Sequence, residues 1–113
     1  MNNLTLRATN GAQIIDITGE ITQGNETALS GVFDRALYAR PNAIVLNFSE
    51  LEYMNSSGIG LLITLLIRAQ RQNVALRAVG LSDHYKEIFE LTRLDEAIEI
   101  FDAESAAVME AVR

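Results

Sequence analysis

The segment Asn55-Ser56-Ser57-Gly58-Ile59-Gly60 places two hydroxyls and two spaced glycines just ahead of an aliphatic run that ends at Ile67. Such a pattern is compatible with a phosphate-binding loop, the start of a membrane segment, a covalently modified switch or a plain helix cap. Gly58 and Gly60 form a G-x-G, but Ile63 stands where a dinucleotide-binding fingerprint needs its third glycine. No Lys-Ser/Thr pair follows to make a P-loop. The serines lack the G-x-S-x-G surroundings of a hydrolase elbow, and His84 is the one histidine available as a base. The apolar run is interrupted by Thr64 and is far short of the roughly 20 residues that cross a bilayer. With no cysteine and a single histidine, the chain offers almost nothing to a metal, and neither metal nor cofactor is expected. A phospho-receiver site needs a lysine on a late strand, whereas the only lysine, Lys86, falls inside an expected helix. No catalytic residue is expected.

The elements that must position this segment can be read from periodicity. Leu4, Leu6 and Ala8 alternate with polar residues, Asn10-Gly11 is a two-residue hairpin signal, and alternation resumes from Gln13 to Thr18, giving two antiparallel strands. From Glu26 the period changes: Leu29, Val32, Phe33, Ala36 and Leu37 mark an amphipathic helix that Pro41 brings to a stop. Residues 43–48, AIVLNF, read as a strand covered on both faces, followed by a loop, SELEYM, over 49–54. The next helix is capped by Asn55 or Ser56, both good N-cap residues. Residues 74–81 read as a buried strand. Residues 82–94 read as a helix capped by Ser82, with Ile88, Leu91 and Leu94 inward. A strand over 98–101 and a helix over 103–113 complete the chain. Strands alternating with helices imply an α/β layer structure, with a crossover through the helix that joins the strand at 43–48 to the one at 74–81.

On the helix after Asn55, Ile59, Leu62, Leu65, Leu66 and Ala69 share the face that packs on the sheet. The opposite stripe carries Ser57, Gly60, Thr64, Arg68 and Arg71. Leu61 borders it on one side and Ile63 and Ile67 on the other, so apolar groups reach the outward edge. A partner-binding strip and a deeper cover by the chain itself are the two explanations. Gly58 and Gly60 each lower helix propensity by about 1 kcal/mol relative to alanine, which suggests close approach by another backbone.

The 113 residues fit one domain, 1–113, with 49% hydrophobic and 21% charged residues as in ordinary globular proteins. The formal net charge is -6 and the basic residues are scattered singly along the sequence, so no direct contact with nucleic acid is expected. The opening residues MNNLTLRATNG lack the basic and apolar regions of a signal peptide, and no span for membrane insertion is present. A soluble, cytoplasmic protein is expected.

The run LNFSELEYMNSSGIGLL resembles the motif of the STAS domain in anti-sigma-factor antagonists. There a hydrophobic strand, a short acidic loop and Tyr/Phe-Met precede Asp-Ser-Ser/Thr-Gly-Leu-Gly. The resemblance extends to 17-ITGEI-21 as the family's second strand and to residues 76–101 as its later strand, helix and strand. It implies the STAS fold of the α/β class, a small mixed β-sheet with helices packed mainly on one face. It also implies a role for Ser56 as the serine phosphorylated by a partner kinase that is itself an anti-sigma factor, with Ser57 the adjacent motif hydroxyl. The implied partners are that anti-sigma-factor serine kinase, which is bound when Ser56 is unmodified and released when it is phosphorylated, and a serine phosphatase that resets the switch. Asn55, Ser57, Gly58, Gly60, Thr22 and Thr64 are the implied motif and partner-binding positions, in a monomer or weak dimer. A STAS interaction or scaffold module without the switch, within a signalling or transport complex, is the alternative.

Two departures from the family pattern fall at the implied site. Asn55 stands where the family usually has aspartate, and Thr22 closes Gly19-Glu20-Ile21-Thr22 where it commonly has Gly-Glu-Leu-Asp. If those carboxylates orient the hydroxyl or contact the kinase, phosphorylation of Ser56 is slower, uses another kinase or does not occur. If their charge instead opposes a phosphate, its loss makes the phosphate easier to hold. Elsewhere, His84 is expected in solvent beside its helix, Glu50 and Glu52 as solvated loop carboxylates beside the motif, and Arg68 and Arg71 on a solvated helix face.

Overall fold

The computed structural model describes residues 3–109. The strands β1 (Asn3–Thr9), β2 (Ala12–Ile21), β3 (Ala43–Met54), β4 (Ala75–Val79) and β5 (Glu99–Phe101) form a single sheet in the order β1-β2-β3-β4-β5. The first pair is antiparallel and the other three are parallel. The helices are α1 (Glu26–Tyr38), α2 (Ser56–Arg71), α3 (Asp83–Leu91) and α4 (Glu104–Met109), with short 3-10 turns at Gln23–Asn25 and Leu94–Glu96. This is the small mixed sheet that the STAS resemblance implies. The part of the last expected helix over 110–113 lies outside the described residues.

The β1-β2 hairpin closes through Thr9 opposite Ala12. Asn10 and Gly11 both have positive φ, 43° and 82°, the backbone that a two-residue turn matched to strand twist requires. Alternation then divides the central strands between two cores. Ile15, Ile17, Ile44, Leu46 and Phe48 join α1, α2 and α3 in the main core. Ile14, Ala43, Val45 and Val79 point the other way and bury Ala107 and Val108 of α4. Three helices therefore cover one face and a short one part of the other.

Three sequence expectations change. The segment 49–54 is strand, because β3 continues to Met54 beside β2. Between Asn47 and Glu50, and again between Leu51 and Tyr53, β3 advances one residue more than β2, so two bulges stretch its inward spacing. Phe48 and Met54 are buried and Leu51 packs against the same core, a period of three that hides the strand from a search for alternation. In α3, Tyr85 and Phe89 are buried while Leu91 is 77% exposed; the helix ends there, and Leu94 reaches the core only after Arg93 turns the chain at φ 62°. In α2 the buried stripe is rotated toward Leu61, which is covered, and Ile59 is half-buried. Ile63 and Ile67 are exposed at 40% and 43%. The helix that was expected from Glu26 buries all five of its periodic residues.

Candidate functional site

The site forms where β2 and β3 end together. Ile21 pairs with Met54, so Thr22 and Asn55 follow side by side, and the two positions that depart from the family pattern meet in space. Asn55 is extended, with φ -99° and ψ -175°, and its Oδ1 accepts the Gly58 N–H at 3.0 Å. Its main-chain oxygen accepts the Ile59 N–H at 3.0 Å. Asn55, and not Ser56, is the cap. Ser56 and Ser57 are then the first two helical residues, with exposed side chains and main-chain N–H groups that have no acceptor within the helix.

Gly58 is fixed by contact. A β-carbon there would overlap the Ile21 carbonyl oxygen and stand 2.8 Å from Met54 Cγ, so the helix can lie against the end of β2 only with glycine at this position. Gly60 is different from the sequence expectation: no atom outside its own helix lies within 4 Å of the place a β-carbon would take, so it leaves open space and no backbone approaches it. Thr64 Oγ1 donates to the Gly60 carbonyl at 3.2 Å. Ser57, Gly60 and Thr64 line one shallow cleft of about 330 Å³ with Leu61, Gln23 and Glu26. Ser56 is not part of that lining.

Thr22 is half-buried and already engaged. Its N–H and its hydroxyl both donate to Asn25 Oδ1, at 2.7 and 3.2 Å, which fixes the 3-10 turn that leads into α1. The Thr22 hydroxyl and the Asn55 amide oxygen are thus both engaged in local hydrogen bonds. Sequence reasoning missed three residues here. Gln23 and Glu26 form the far wall of the cleft, and their signal was the acidic residue that opens α1. Buried Tyr85 accepts the Met54 N–H at 2.8 Å and so holds the end of β3 just before the cap. Its signal was the i, i+4 pair with Phe89.

The other candidates are apart from these groups. His84 is exposed, with its ring 4.9 Å from that of Tyr85. Glu50 and Glu52 are exposed, but on β3 and not on a loop. Arg68 is half-buried, paired with Asp34 and placed 5.3 Å from the Phe33 ring centroid, whereas Arg71 is exposed. Among the described residues no group of His, Cys, Asp or Glu could hold a metal ion, and no helix is long and apolar enough to cross a membrane.

A mixed sheet with three helices on one face, and a capped pair of hydroxyls where two parallel strands end, defines a class of small α/β domain organised around one helix N-terminus. The model of the STAS domain family matches residues 3–107, and the chain belongs to that family. Among solved structures it is similar to an anti-sigma factor antagonist from Mycobacterium paratuberculosis, at 18% identity and a TM-score of 0.84 over 100% of this chain and 96% of that one. A sulfate transporter family protein from Wolinella succinogenes gives 21% identity and a TM-score of 0.79 over 93% and 88%. The Bacillus cell fate determinant SpoIIAA in its phosphorylated form gives 21% and 0.64 over 98% and 100%. At these identities the likeness is one of fold. No curated protein sequence matches significantly.

Proposed function

We propose that the protein is an anti-sigma-factor antagonist that works by partner switching in the cytoplasm. It binds an anti-sigma-factor serine kinase when unmodified and leaves it when Ser56 is phosphorylated, and a serine phosphatase restores the first state. It is a binding protein with no catalytic residue of its own, a monomer or weak dimer. The observation that carries this reading is the exposed Ser56 at the first position of α2. There the unclaimed N–H groups and the positive end of the helix dipole accommodate a phosphoryl group of about -1.5 to -2 charge. Against a docked surface the same charge repels or must be desolvated, so modification is read out as release. Asn55, Ser57, Gly58, Gly60, Thr22 and Thr64 are the proposed motif and partner-binding residues. Ser57, Gly60 and Thr64 belong to a single cleft, which supports their grouping.

The test is incubation with the host's candidate anti-sigma kinase and ATP, followed by mass spectrometry of the Ser56 peptide. Labelling of the wild type and its loss in Ser56→Ala is the expected result, and equal labelling of that variant overturns the proposal. The second reading, a STAS interaction module without the switch, is favoured by the engagement of Thr22 and Asn55 in local hydrogen bonds. It predicts a complex whose lifetime does not change on adding ATP.

A further inference from the structure

A second cleft, of about 530 Å³, opens at the other end of α2, between its last turns and the end of α1. Asp34 and Leu37 form part of its lining, with Tyr38, Arg40, Arg68 and Gln72 around them. The surroundings are basic: Arg35 lies in the last turn of α1, Arg68 and Arg71 in that of α2, and Arg40 two residues beyond α1. These are four of the nine lysines and arginines of a chain whose net charge is -6. Of these, Arg40 and Arg68 meet on the lining of the cleft, while Arg35 and Arg71 lie in the last turns of the two helices that border it.

Cations at helix C-termini also compensate the helix dipole, which accounts for Arg68 and Arg71. Arg40 and Tyr38 are not explained in that way. Arg40 lies outside the helix at φ 53°, a conformation that favours glycine, yet it carries a long cationic side chain into the lining. Tyr38 is 91% exposed and places a large aromatic ring on the same lining. Arg68 is neutralised by Asp34, but Arg40 and Arg71 have no ion-pair partner among the described residues. An aromatic ring and one unpaired guanidinium on the same lining, with a second guanidinium in the bordering last turn of α2, is a chemistry that anchors acidic partners.

We propose that this cleft is a docking site for an acidic segment of a partner protein. Its carboxylates pair with Arg40 and Arg71, and an apolar side chain packs on Tyr38 and Leu37. The 16 residues of α2 span about 24 Å at about 1.5 Å each, so the site is remote from Ser56 and does not depend on its modification.

The test is an amide NMR titration of the full chain with a synthetic peptide of glutamates flanking one phenylalanine, at low ionic strength. Shifts concentrated at Leu37, Tyr38 and Gln72 are expected, weakening as salt is raised. Affinity should fall by at least about tenfold in Arg40→Gly/Arg71→Ser. Glycine suits the backbone at position 40, and a far-UV spectrum and melting curve like those of the wild type show that the variant is folded. Unchanged affinity in that variant, or shifts spread evenly over Arg7, Lys86 and Arg93, overturns the proposal. So do equal shifts with inorganic phosphate or ATP, which would mark a phosphate site, or no shifts at all.

Discussion

Gly58 stands against the Ile21 carbonyl so closely that the two residues leave no room for a methyl group between α2 and the end of β2. Backbone meets backbone here, so a substitution cannot be absorbed by a side-chain rotation. Gly58→Ala is expected to cost about 3 kcal/mol. Gly60→Ala, two residues on and facing open space, is expected to stabilise by up to about 1 kcal/mol through helix propensity. Urea unfolding of the two variants separates them by sign. If the Ser57-Gly60-Thr64 cleft is the proposed docking surface, the stabilised Gly60→Ala protein binds its kinase more weakly.

The contrast between these glycines shows what was legible in the sequence and what was not. A local signal narrowed the cap to Asn55 or Ser56 and found the Asn10-Gly11 turn, because caps and tight turns are decided by a few adjacent residues. Propensity gave Gly58 and Gly60 the same expected reason, and only the third dimension separates them. The strand over 49–54 was hidden because two bulges replace alternation with a period of three, at Phe48, Leu51 and Met54. The far wall of the cleft, Gln23 and Glu26, is about thirty residues away in sequence and is brought there by parallel pairing of β2 with β3.

The cap at Asn55 gives a prediction about the departure from the family pattern. Asn55→Ala removes the acceptor of the Gly58 N–H and is expected to cost about 1 kcal/mol. Asn55→Asp keeps an acceptor in the same place and adds negative charge at the helix N-terminus, so stability is retained or rises by a few tenths of a kcal/mol. Chemical denaturation checks both. Under the proposed switch, that aspartate also restores the family's usual residue, and the rate of Ser56 labelling with and without it measures what the carboxylate does.

Tyr85 holds the strand end that carries the cap. Its hydroxyl accepts the Met54 N–H at 2.8 Å and lies 3.5 Å from the Met54 carbonyl. Tyr85→Phe keeps the ring packing and leaves a buried N–H without its partner, an expected loss of about 1–3 kcal/mol. Amide hydrogen exchange locates the effect: the Met54 amide exchanges faster, while those of Ile44 and Val45 change only with global stability.

The polar network on the second face of the sheet gives the pH dependence. Arg7 donates to both Asp16 oxygens, at 2.6 and 2.8 Å, and also reaches Glu104 of α4 at 2.7 Å. The hydrogen bonds from Arg7 hold the Asp16 carboxyl below its usual range; partial burial opposes this, and the Asn47 amide, donating at 2.8 Å, adds to the lowering. A carboxyl whose folded pKa lies below its unfolded value of about 3.9 stabilises the fold above that pH. Its contribution is lost as pH falls through the folded value. Asp16→Asn is therefore less stable than the wild type near neutral pH, and its stability falls less steeply under acid, so the two curves converge as pH drops through the lowered folded value. Urea unfolding from about pH 7 down to about pH 2 measures the convergence, and parallel curves would show that Asp16 contributes nothing to the acid limb.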